Sequence, residues 1–143
     1  MIDAAQIQIV TSTFELVVPA HQSVAELFYY RLLELDPELK ALFKQDLKEL
    51  GRKLMLTIAI AVNGLNKIEQ VTPMLVALGS RHARYGIKPH HYETAGEALL
   101  WSLEKWLGPA FTDEARRAWV AFYRFLVNTM QGSLASVSPG EIR

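Results

Sequence analysis

Four histidines, His21, His82, His90 and His91, are the side chains of this chain with the most metal and proton chemistry to offer. His82 sits in LVALGSRHARYG, residues 75–86, near the end of a helical pattern with arginines around it. It falls on the same stripe as Leu75 and Leu78, which sets its ring on or beside an apolar face. A histidine there is either hydrogen-bonded in a core or the ligand of a metal, and position alone leaves both readings open. His21, near a helix start, reads as a surface residue. His90 and His91 follow Pro89, and adjacent helical residues point about 100° apart, so the pair is not expected to share one ion. With His82 the pair crudely suggests a zinc site, but no carboxylate or cysteine is expected to complete the set.

Other chemistries are missing. There is no glycine-rich phosphate loop, no His-Glu-x-x-His pair and no Gly-x-Ser-x-Gly elbow. The absence of cysteine removes disulfides, thiolate ligands and thiol nucleophiles, and suits a cytoplasmic location. Fifteen Lys and Arg balance fifteen Asp and Glu. Nothing in that balance points to nucleic acid or to an anionic membrane surface. The most apolar run, LMLTIAIAV at 54–62, is too short to span a bilayer, and MIDAAQIQIV is not a signal peptide, so no membrane insertion is expected.

The elements that must position these residues are helical. Leu47, Leu50, Leu54, Ile58, Val62 and Leu65 recur at three and four, as do Ala115, Trp119, Phe122, Leu126 and Met130. Asp36-Pro37 and Thr72-Pro73 each place a capping residue before a proline, and Thr112 precedes two acids. The pattern predicts helices near 4–18, 20–35, 37–43, 47–65, 72–85, 90–107 and 112–134, with no strand. Half of the 143 residues are hydrophobic, enough for one all-α domain over 1–135, with residues 136–143 as a flexible tail.

Five motifs stand in order along the chain: LFYYRLLELDPELKALF (27–43), RKLM (52–55), LGSRHARYGI (78–87), HYETAGEALL (91–100) and FTDEARRAWVAFY (111–123). At these spacings the chain resembles the globin family, and within it the bacterial single-domain haemoglobins related to the globin half of flavohaemoglobins. The resemblance covers about residues 1–134. It implies a globin fold of seven to eight helices packed around one haem b (iron protoporphyrin IX). His82 takes the place of the proximal histidine, the axial ligand of haem iron, with the Leu78 carbonyl one turn earlier as acceptor for its other ring nitrogen. Phe43 corresponds to the aromatic residue that packs on the haem. Leu50 and Leu54 take the seventh and eleventh positions of the distal helix, and Leu78, Ile87 and Tyr92 belong to the proximal side.

Tyr29 corresponds to the distal tyrosine, whose hydroxyl donates to bound O2, and the family register favours it over the adjacent Tyr30 as the inward ring. Gln45 and Lys53 are helpers at the pocket edge, and Lys53, Arg52 and Arg84 are candidate partners for haem propionates. Two positions depart from the family pattern. Leu50 stands where histidine or glutamine is usual, so that position can neither ligate iron nor donate a hydrogen bond. Leu134 stands where flavohaemoglobins carry a glutamate that joins the proximal histidine and tyrosine.

The resemblance implies reversible binding of O2, CO and NO, for oxygen binding, storage or delivery, by a monomer or weak homodimer. The alternatives are NO dioxygenation with a separate reductase, gas sensing through a partner, and a cofactor-free helical binding module.

Overall fold

The computed structural model describes residues 2–43 and 45–137, with side chains to residue 132. Its first helix, α1 (Ala4–Val17), is started by a reciprocal cap: Asp3 accepts from the Gln6 amide at 2.8 Å, and the Asp3 amide donates to the Gln6 side chain at 3.1 Å. A 3-10 turn over Val18–Ala20, carrying Pro19, bends the chain into α2 (His21–Leu35). A second 3-10 segment follows at Pro37–Leu42, where a full α-helix was expected. Then come α3 (Leu47–Asn63), α4 (Ile68–Arg84), α5 (Pro89–Leu107), a 3-10 turn at Gly108–Ala110 and α6 (Asp113–Val137).

The all-α class is as expected, with six α-helices and three 3-10 segments among the described residues. The start of α4 is not. Thr72 does not cap it; its hydroxyl donates back to the Ile68 carbonyl at 2.7 Å, and Pro73 lies inside the helix. Pro73 is exposed and close to the helix start, so the missing amide frees only the Glu69 carbonyl, which water can serve. Of the segment read as a tail, residues 136 and 137 end α6 and residues 138–143 lie outside the described residues.

The α6 stripe forms the centre of the core. Trp119 and Phe122 are fully buried, and Ala115, Leu126 and Met130 are buried with them. Trp119 packs edge-on to Phe122 at 5.3 Å and donates to Thr13 of α1 at 2.8 Å, which satisfies both buried polar groups. On α3 the stripe runs from exposed Leu47 through half-buried Leu50 and Leu54 to buried Ile58, Val62 and Leu65.

The helix pairs are selective. α2 packs on α5 and α3, α1 on α6 and α3, and α4 on α6. α3 and α4 are joined by a short link, yet they are not among the pairs that pack closely on each other. Among the described glycines, Gly79 of α4 makes the closest approach, where an added Cβ would fall on the Met130 carbonyl of α6. No described helix is long and apolar enough to cross a membrane.

Candidate functional site

His82 lies in the last turn of α4, half-buried. Its Nδ1 donates to the Leu78 carbonyl at 2.9 Å, the one-turn contact that the spacing allows. That bond leaves Nε2 with its lone pair, and no described residue bonds to it. Burial pushes the imidazole below its usual range, opposed by the Leu78 carbonyl and helped by Arg81. The result is a neutral ring of fixed tautomer with one bare nitrogen, the form that binds a metal.

Tyr92 of α5 stacks near His82, with ring centroids 6.3 Å apart and planes 25° apart. Its hydroxyl is buried and has no hydrogen-bond partner among the described residues. An orphaned buried hydroxyl beside a bare imidazole nitrogen is unusual in a finished core and marks a place where another group fits. The backbone of Tyr92 is held from behind: Tyr123 of α6 donates to its carbonyl at 2.6 Å. Gly96 makes this possible, since a Cβ there would meet the Tyr123 ring at 2.7 Å.

A second group forms where α2 meets the segment before α3. Tyr29 of α2 meets Phe43 edge-on at 5.6 Å and Phe28 edge-on at 4.9 Å. Burial pushes the Tyr29 phenol up to about 12, so it keeps its proton. Its hydroxyl has no hydrogen-bond partner among the described residues. Tyr30, next in sequence, is 62% exposed, so Tyr29 is the inward ring. A cleft of about 530 Å³ opens beside Tyr29 between α2 and the start of α3, bordered by Ala25, Leu33, Leu47 and Gly51, with exposed His21 at its edge. Lys53 donates to Gln45 at 3.0 Å, and Arg52 pairs with Glu49 at 2.6 Å, both on the surface. Arg84 is exposed and unpaired among the described residues.

No hydrogen bond or ring contact joins the His82–Tyr92 group to the Tyr29–Phe43 group among the described residues. Phe43, Leu54, Leu78 and Ile87 lie half-buried, packed against the core. These apolar residues come from α3, α4 and the segments flanking them, and α3 and α4 are not among the pairs that pack closely on each other.

Two features of the region were not legible from the sequence. Tyr123 has nothing in its spacing to tie it to Tyr92. The other concerns the histidine pair: the side chains of His90 and His91 do lie together, ring centroids 4.2 Å apart, and Asp36, distant in sequence, supplies a carboxylate where none was expected to complete a site. The ends of α2 and α5 bring them together, and His82 is not part of that cluster. The side chain of Leu134 lies outside the described residues.

An all-α fold with a neutral, bare-nitrogen histidine on one helix and a half-buried tyrosine meeting a phenylalanine edge-on near another has the design of a globin. The family model for globins matches residues 26–130, and the chain belongs to that family. It is 34% identical over 118 residues to a neuroglobin of the fish Tetraodon nigroviridis, covering 73% of this chain and 74% of that protein. It is 30% identical over 129 residues to a flavohemoprotein of Vibrio cholerae, covering 88% of this chain and 33% of that protein. A flavohemoprotein of Oceanobacillus iheyensis is also 30% identical, over 126 residues, with 86% and 31% covered. The chain thus spans about a third of the length of the flavohemoproteins it matches.

Proposed function

We propose that this globin holds one haem b between the two groups and binds O2 reversibly, with CO and NO as further ligands. The observation that carries the reading is His82: Nδ1 committed to Leu78 at 2.9 Å, Nε2 free and unprotonated. The residues present fit the group. A flat apolar macrocycle would cover apolar surface left on half-buried Phe43, Leu54, Leu78 and Ile87, and the orphaned Tyr92 hydroxyl, on the ring stacked near His82, would be available to it.

When bound, haem iron supplies the coordination position at which the diatomic ligand is taken up. The chain does the rest. His82 Nε2 would hold the iron, and the Leu78 carbonyl makes the ring a better donor by polarising Nδ1–H. Tyr29 is partly buried and keeps its hydroxyl proton, which would be donated to a bound ligand, a bond that counts for more away from bulk water. Leu50 brings no polar atom, so distal polarity rests on Tyr29, with Gln45 and Lys53 at the edge. Arg84 has no partner among the described residues and would suit a propionate, whereas Arg52 and Lys53 must first leave Glu49 and Gln45.

Oxygen storage or delivery is the use that needs no further component. The similarity to flavohemoproteins favours a second use, conversion of NO to nitrate with electrons from a separate reductase. Absorption spectroscopy on the purified protein tests the common premise. A Soret band that shifts with CO is expected; colourless protein that also takes up no added hemin overturns the reading.

A further inference from the structure

We propose that Asp36, His90 and His91 form a surface site for a borderline divalent transition cation, with Zn2+ as the reference ion, separate from the His82 region and independent of the haem reading. One ligating atom from each of the three lies within 4.8 Å of the others. Two imidazoles and a carboxylate are the donor set that zinc and its neighbours take from proteins, with water completing a tetrahedron.

The cluster is partly built before any ion arrives. Asp36 spends one carboxylate oxygen on the Glu38 amide at 3.2 Å, which orients the other, Oδ2, to 3.9 Å from His91 Nε2. The His91 and Asp36 side chains are only 13% and 22% exposed, so these two ligands are held in place. His90 is exposed, and its ring is free to turn in as the third. Tetrahedral zinc needs its ligand atoms about 3.4 Å apart, a closure that rotation of one exposed ring and a carboxylate can supply. The surroundings are close to neutral for a cation: the site lies where the negative end of α2 meets the positive end of α5.

His91 carries the cost. Its Nδ1 accepts from the Lys88 amide at 2.9 Å, which caps α5 and puts the ring proton on Nε2, the atom that faces Asp36. A cation at Nε2 requires that proton on Nδ1 instead. The Lys88 amide then loses its acceptor and turns to water, which it can do because Lys88 is exposed. Metal binding thus exchanges a helix cap for a metal bond, and leaves a mark on one named amide. The bound ion clasps the end of α2 to the start of α5.

Calorimetric titration of Zn2+ into the purified protein, as isolated, tests this alongside two variants, Asp36→Asn and His90→Gln. Asparagine can still accept from the Glu38 amide, and His90 is exposed, so both variants should fold. The expected result is saturable binding of one Zn2+ per chain that each variant weakens by at least about tenfold, with the Lys88 amide resonance moving as the site fills. Equal affinity in the variants, an unmoved Lys88 amide at saturation, or no saturable binding at millimolar Zn2+ overturns the proposal.

Discussion

Nδ1 of His82 and the carbonyl oxygen of Leu78 lie 2.9 Å apart, one turn of α4 between them. That single bond decides which nitrogen is left to bind a metal and which way the ring faces. Replacing the ring removes both. His82→Ala should fold with its helix content intact and lose most of its haem, read as loss of the Soret band with far-ultraviolet dichroism retained. An unchanged haem spectrum in the variant would remove His82 from the axial position.

Tyr29→Phe removes the hydroxyl proposed to serve the distal side while keeping the edge-on contacts with Phe28 and Phe43. Loss of one hydrogen bond to a polarised ligand is worth about 1–3 kcal/mol, or roughly fivefold to 150-fold in rate. O2 dissociation measured by stopped flow should speed up by that factor. An off-rate equal to the parent's would mean that another group is the donor.

Tyr29 also sets an alkaline limit. Its phenol is pushed up to about 12 in the folded protein by burial, against about 10 in an unfolded chain. The folded state therefore keeps a proton that the unfolded state gives up between those values. The contribution of Tyr29 to stability is complete below about pH 10 and is lost as pH rises from there toward about 12. Denaturant titrations across that window should show a steeper loss in the parent than in Tyr29→Phe; parallel curves would contradict the shift.

Leu50→His restores a ligand at the position where the family usually has a polar residue. Leu50 is half-buried on the same face of α3 as Leu54, so a histidine there needs no change of helix register. The ferrous spectrum should become six-coordinate, and CO association should slow because the histidine must first leave. A ferrous spectrum that stays five-coordinate would place Leu50 away from the iron.

Gly79→Ala probes the support of the proximal helix. The added methyl falls on the Met130 carbonyl, which is backbone and cannot turn aside. The expected destabilisation is about 1–3 kcal/mol by equilibrium denaturation, with haem dissociating faster because α4 carries His82. Wild-type stability in the variant would show that α4 and α6 can separate at little cost.

The sequence was most informative where a physical pattern is local. The α6 stripe from Ala115 to Met130 is buried as its three-and-four spacing requires, and the His82–Leu78 bond follows from one helical turn. Asp36 caps the segment behind it, and Thr112 caps α6. Legibility stopped where the deciding partner is distant. Thr72-Pro73 looks like a helix start, but packing of α4 on α6 carries the helix back to Ile68 past its proline. The Tyr123 bond to Tyr92 and the meeting of Asp36 with His90 and His91 are products of tertiary geometry, and no spacing rule reaches them.

The selective pairing of the helices also fixes an order of events. α4, which carries His82, packs chiefly on α6, the last helix in the chain, and α1 packs on α6 as well. Helix α3, next to α4 in sequence, offers it little support. During synthesis α4 therefore has little to lean on until α6 has emerged, whereas α2 and α3 can meet early. Haem capture then waits for α6, and a nascent chain stalled before Trp119 should bind hemin no better than an unfolded one.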